Sequence, residues 1–231
     1  MTAIFVFVEG STALIASDTK RAQLGWATSA TKTQQWSRNV LVSQTGFGEG
    51  LQRLIGEMML WQHRATEFSG AVGLVKIFKN VGPFRYETEV YHAQSNRSQV
   101  NGTLVIAEAA RIIGQKASIT TIDWASGQVI DHPGPVYADG TDPASFQKIA
   151  EGEYRRLRPT GTGAFNAGQW GVECIKRAMQ TPQGKEAVDW PIDLAIIRRD
   201  DAGHLLCITQ KLEFGSTPSS HFNLPAPPEV I

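Results

Sequence analysis

Residues 1–20, MTAIFVFVEGSTALIASDTK, decide the reading. Two short apolar runs, 3–8 and 12–17, flank Glu9-Gly10-Ser11. A three-residue loop with a central glycine is a hairpin signal. Neither run alternates apolar with polar, so both faces of the hairpin are expected to be covered, in a sheet sandwiched between other layers. Centred on Gly10, the pairing predicts Val8 opposite Thr12 and Thr2 opposite Asp18. Directly opposed residues share a face with Cβ atoms about 4.5–5.5 Å apart. A shift of one residue would send Asp18 to the other face.

That pairing matters because of what Thr2 becomes once Met1 is removed. A small second residue favours removal of the initiator, and the product carries an α-amine beside a hydroxyl. An α-amine has an ordinary pKa of about 7.7–8.0, so near neutral pH it can act as base for its own side chain. Asp18 supplies a carboxylate beside it. Lys32 is the candidate third member: a nearby ammonium keeps the amine neutral and steadies negative charge developing on the Thr2 oxygen. Lys20, one strand step beyond Asp18, is its rival. Gly46 is the candidate oxyanion donor, since a backbone N–H in a glycine turn meets substrate with no side chain in the way.

Further along, Val40–Val42 is a strand candidate ending at Gly46-Phe47-Gly48. Leu51, Leu54, Ile55 and Met58 recur at helical spacing and predict a helix from about Glu49 to His63. Residues 66–101 fit helix or strand. Thr103–Ala107, Ser118–Ile122 and Gln128–Ile130 read as strands, and 133–145, rich in Pro, Gly and Asp, as a loop before a helix over 145–156. Gly161-Thr162-Gly163 opens a helix whose small apolar face (Ala164, Ala167, Gly168, Val172, Ile175, Met179) suits close approach to a sheet. Ile192–Ile197 and His204–Thr209 form a last hairpin. Strands and helices grouped in runs predict an α+β protein of stacked layers, not a parallel βαβ sheet. Residues 1–215 read as one domain and 216–231 as a Pro- and Ser-rich tail.

The chain has 231 residues, with Lys plus Arg equal to Asp plus Glu. That balance gives no electrostatic footprint for nucleic acid or a membrane surface. No apolar run approaches the roughly 20 residues that span a bilayer. The start lacks a basic leader, so a cytoplasmic protein is expected. Cys174 and Cys207 read as buried free thiols. Neither a cofactor nor a metal is called for.

The constellation resembles the superfamily of proteasome β-subunits and the bacterial heat-shock-locus peptidase, the N-terminal nucleophile (Ntn) hydrolases. Their pattern is Thr, a strand, a glycine turn, a strand ending in Asp, then a basic residue two positions on. Here it reads Thr2 through Val8, Gly10, and Ala16-Ser17-Asp18-Thr19-Lys20. Lys32 and Gly46 resemble the family's lysine and the glycine that opens its first helix, although Thr2 to Lys32 is two residues shorter than usual. Gly161-Thr162-Gly163 is similar to the family's Gly-Ser-Gly, with Thr162 in place of Ser. The family's acid and serine before the last strand pair have no full counterpart in 184–190, where only Glu186 and Asp189 are candidates.

The resemblance implies a four-layer αββα sandwich of two antiparallel sheets between helices. It implies a threonine endopeptidase acting on peptide or unfolded protein, with catalytic Thr2, Asp18, Lys32, Gly46 and Thr162. It also implies copies of the chain stacked in rings around a chamber, often fed by an ATP-driven unfoldase. Two other functions fit the same sequence: a catalytically silent ring subunit, and an amidase for small non-peptide amides.

Overall fold

The computed structural model describes residues 2–23, 26–29, 32–62, 70–93, 100–112, 115–158, 164–200 and 202–224, with backbone alone at 20–23 and 26–29. In chain order the elements are β1 (Ala3–Glu9), β2 (Thr12–Asp18), β3 (Lys20–Gln23), β4 (Trp26–Ser29), β5 (Gln34–Ser37), β6 (Val40–Gly46), α1 (Gly48–Gln62) and α2 (Ala71–His92). Then come β7 (Gly102–Glu108), β8 (Ser118–Asp123), β9 (Val129–His132), β10 (Val136–Gly140), α3 (Pro143–Leu157), β11 (Phe165–Asn166), α4 (Ala167–Ala178) and α5 (Pro182–Ala187). The chain closes with β12 (Ile192–Arg199), β13 (Leu205–Leu212) and β14 (Asn223–Leu224).

Two five-stranded antiparallel sheets form the centre, ordered β10-β1-β2-β12-β13 and β5-β6-β7-β8-β9. Strand alternation divides their side chains into layers. Phe5, Phe7, Leu14 and Ala16 leave the first sheet toward α3 and α4, where they meet Phe146 and Trp170. Ile4, Val6 and Ile15 point the other way, against Leu41, Val105 and Ile119 of the second sheet. That sheet's outer face, with Val40, Val42 and Ile106, is covered by Leu51, Leu54, Leu74 and Phe78 of α1 and α2. The result is helix, sheet, sheet, helix: the αββα sandwich expected. The non-alternating runs of the first hairpin are explained, because both faces of β1 and β2 are buried. Helix α4 lies so close to β2 that a Cβ on Gly171 would stand 2.6 Å from the Ala16 Cβ.

Several elements differ from expectation. The first hairpin closes as Glu9 opposite Thr12, so its loop is the two residues Gly10-Ser11, with Gly10 at φ 53°. Two-residue loops match the twist of the strands they join. The register therefore slips by one. Continued from Ile4 opposite Ser17, it sets Asp18 across from Ala3, not Thr2. Residues 136–140, read as loop, form the edge strand β10 alongside β1. Helix α3 starts earlier than expected, with Asp142 capping the Ser145 N–H at 3.2 Å and Pro143 in its first turn. Helix α4 starts later, at Ala167, with the Asn166 side chain accepting the Gln169 N–H at 2.7 Å. Gly161-Thr162-Gly163 lies outside the described residues. Pro182 does not only stop α4; it opens the short α5. The ambiguous stretch before residue 101 contains the 22-residue α2. Within the segment read as tail, Phe222 is buried in the first core and β14 pairs with β11. Cys174 is buried, whereas Cys207 is half-buried; both are free, and burial raises both thiol pKa values. No helix of the described residues is long and apolar enough to cross a membrane.

Candidate active site

At one end of the first sheet three side chains meet. The Thr2 hydroxyl donates to Asp18 Oδ1 at 2.6 Å. The Lys32 ammonium donates to Thr2 Oγ1 and, at 3.0 Å, to the same Asp18 oxygen. All three residues are buried, Asp18 completely. The contact forms although the register is not the one expected. Thr2 precedes the first ladder residue of β1, so the pleat does not dictate its direction. The carboxylate takes the Ala3 N–H at 2.7 Å in place of a ladder carbonyl, and from there Oδ1 reaches Thr2 on the diagonal.

Lys32 is held from its backbone. Its carbonyl accepts the Ser43 hydroxyl at 3.2 Å, and the Thr33 hydroxyl stands 3.2 Å from Ser43 and 3.4 Å from Ser17. Ser17, Thr33 and Ser43 come from β2, the stretch before β5, and β6, so a short polar chain joins the two sheets beneath the lysine. The ammonium beside Thr2 Oγ1 lowers the cost of deprotonating that hydroxyl, and the Asp18 carboxylate fixes the ammonium in place.

The backbone of Thr2 is gripped by β10. The Thr141 N–H donates to the Thr2 carbonyl at 3.0 Å, and the Thr2 N–H reaches Thr141 Oγ1 at 3.3 Å. Gly140 allows this approach: at φ 138°, a Cβ there would lie 2.0 Å from the Thr2 carbonyl oxygen. Gly46 ends β6 at φ 88°, exposed, on a strand that packs against β1 and β10. Its turn is fixed by the Phe47 N–H donating to the Asn101 carbonyl at 2.9 Å. A side chain on Gly46 would strike that carbonyl.

Of the residues singled out in the sequence, Thr2, Asp18 and Lys32 are thus in mutual hydrogen bonding. Gly46 is a backbone turn at the end of β6, next in sequence to Thr45. Thr162 lies outside the described residues; among the described residues, the hydroxyl at the Thr2 nitrogen is that of Thr141. Glu186 and Asp189 are both exposed, and Asp189 accepts the Trp190 N–H at 2.8 Å. Thr141, Ser43 and Asp139 were missed. The signal for Thr141 was a second Gly-Thr step ahead of a capped helix, at 140–141, which competes with the one at 161–162.

Asp139 is buried on β10. Its Oδ2 accepts the Thr45 hydroxyl at 3.0 Å and its Oδ1 the Gly140 N–H at 2.7 Å. Loss of solvent pushes its pKa above the ordinary value, against the pull of those bonds. His132 packs on Tyr137 with ring centres 4.1 Å apart and shares a hydrogen bond with Thr121. Burial holds its pKa down despite Asp131 and Asp139. Among the described residues no group of three or more His, Cys, Asp or Glu is placed to hold a metal ion.

Comparison with known proteins places the fold. The chain is similar to Anbu from Hyphomicrobium sp. strain MC1. Against a structure of the Anbu Gly-1 mutant the TM-score is 0.65 at 14% identity, covering 96% of this chain and 90% of that one. Against a second Anbu structure it is 0.63 at 15% identity, with 95% and 90% covered. No family model and no curated protein matches the sequence. At such identity the likeness establishes the fold, that of an Ntn-hydrolase-like sandwich, over nearly the whole chain.

Proposed function

We propose that the chain is a threonine endopeptidase of a self-compartmentalising, proteasome-like ring, with Thr2 as nucleophile after Met1 is removed. The observation that carries this is the buried hydrogen-bonded triangle of Thr2 Oγ1, Asp18 Oδ1 and Lys32 Nζ.

Removal of Met1 turns the Thr2 nitrogen from an amide into an amine, next to the Thr141 hydroxyl. The amine takes the hydroxyl proton, directly or through water, while Lys32 stabilises the oxygen as its electrons move to the peptide carbonyl carbon. The carbonyl π pair goes to oxygen, where the Gly46 N–H receives the charge. Collapse breaks the C–N bond, and the proton held by the amine leaves with the new peptide amino terminus. The acyl ester on Thr2 is then cleaved by water, with the amine again as base. Substitution Thr2→Ala tests this. Turnover of a fluorogenic peptide should vanish; full retention overturns the mechanism.

The resemblance to proteasome β-subunits supports the ring and an unfolded-protein substrate, and native mass spectrometry tests the ring. One observation favours a second reading, a catalytically silent subunit. The acids that could stand in for the family's supporting group, Glu186 and Asp189, are exposed. Retention of Met1 on the mature chain would decide for that reading.

A further inference from the structure

The layer between the two sheets is apolar along most of its length, with Ile4, Val6, Ile15, Leu41, Val105 and Ile119. A carboxylate there departs from the pattern, because burying one is costly unless its oxygens are matched by donors. Asp139 sits in that layer opposite Ile4 of β1, and only 8% of it is exposed. Its donor across the layer is the Thr45 hydroxyl of β6, whose cross-strand partner is Thr103 of β7. The next residue after Thr45 is Gly46. The next two after Asp139 are Gly140 and Thr141, which close on the Thr2 backbone.

We propose that Asp139 is a positioning residue, a carboxylate tie that sets the Gly46 turn of one sheet against the Thr2 strand of the other. Thr2 and its oxyanion donor lie on different sheets, and an apolar contact between the sheets would tolerate sliding. A carboxylate with one oxygen on the neighbouring Gly140 N–H and the other on the Thr45 hydroxyl resists it, since sliding would break a bond inside a buried layer. Hydrogen bonds between the sheets thus gather near Thr2, at Asp139–Thr45 and in the Ser17–Thr33–Ser43 chain, beside the apolar layer of Ile4, Val6, Ile15 and Leu41. Among the described residues, His132 of β9 and Tyr137 of β10 are the titratable groups that interact electrostatically with Asp139. Burial raises the pKa of the carboxyl, and the Gly140 N–H and Thr45 hydroxyl oppose that rise.

The inference rests on the peptidase reading, and the test separates the two. Thr45→Val removes the hydroxyl, Thr45→Ser keeps it, and Asp139→Asn removes the charge and one acceptor. The full chain is assayed with a fluorogenic peptide. A misplaced oxyanion donor affects the transition state more than substrate binding, so Thr45→Val and Asp139→Asn should each lower kcat by about 10- to 100-fold with KM nearly unchanged. Thr45→Ser should stay near wild type, and the double variant should be no worse than the weaker single variant. Should Asp139→Asn fail to fold, the threonine pair reads the same bond from the other side. Amide exchange by mass spectrometry supplies a readout that needs no activity: residues 44–48 should exchange several-fold faster in Thr45→Val than in wild type. Unchanged kcat in Thr45→Val, or unchanged exchange of that turn, overturns the tie. If wild type and Thr2→Ala are equally inactive, the peptidase reading has failed, and the exchange experiment alone decides the positioning role.

Discussion

Replacing Lys32 by methionine strands a carboxylate that is completely buried. Asp18 Oδ1 keeps the Thr2 hydroxyl and the Ala3 N–H but loses the ammonium at 3.0 Å. Breaking a buried ion pair by removing one partner costs about 3–5 kcal/mol. The loss in Lys32→Met should therefore be about 3–5 kcal/mol at pH 7. For a chain of this length, 1 kcal/mol moves Tm by about 2–4 °C, so a drop on the order of 10 °C is expected at pH 7. The assay is thermal and urea unfolding at pH 7, with Asp18→Asn and the double variant closing a cycle. The double variant removes both charges and leaves an amide oxygen for the same two donors, so it should recover at least about 2 kcal/mol relative to additivity. A Lys32→Met protein that melts with wild type at pH 7, or a double variant that is simply additive, refutes the pairing.

Gly140→Ala should abolish peptide turnover and also lower Tm, because its Cβ would stand 2.0 Å from the Thr2 carbonyl oxygen at a strained positive φ and push Thr2 out of place; wild-type kcat in that variant contradicts the β10 grip on Thr2. Gly171→Val should lower Tm by several degrees, since α4 would have to lift off Ala16; differential scanning fluorimetry reads it. Burial depresses the His132 pKa, so the unfolded chain binds that proton first as pH falls. The stability this represents is present above the ordinary histidine value of about 6.5 and is lost on acidification below it. His132→Gln should flatten that part of the stability–pH curve measured by urea unfolding.

Legibility in the sequence followed how local the governing physics was. The first hairpin announced itself because two apolar runs around a glycine need only their own residues to be read, and the lack of alternation correctly signalled cover on both faces. Its register did not, since Glu9-Gly10-Ser11 and Gly10-Ser11 are both acceptable loops and the choice rests on strand twist and on β10 and β12 alongside. The meeting of Thr2 with Asp18 survived that slip because it depends on a carboxylate bonding the Ala3 N–H, not on pleat alternation. Strand β10 was hidden by Pro133, Gly134 and Pro135 just before it and by its own polar Asp139. Helix α2 was obscured by Val72, Phe84 and Tyr91, apolar residues that the structure leaves exposed and that blur the buried face. Thr141 and Asp139 reach the site only through pairings across about 135 residues of chain, from Ile4 to Asp139, and no spacing rule in a single sequence carries that.

The central claim is that the chain-start amine and hydroxyl of Thr2 act together. Intact-mass measurement of the mature protein, before and after treatment with a peptide epoxyketone that bridges a 1,2-amino alcohol, tests it most directly. The account predicts a chain lacking Met1 that gains one inhibitor, mapped to Thr2, with loss of turnover in parallel. An active protein that still carries Met1, or an adduct formed at any other residue, would contradict it.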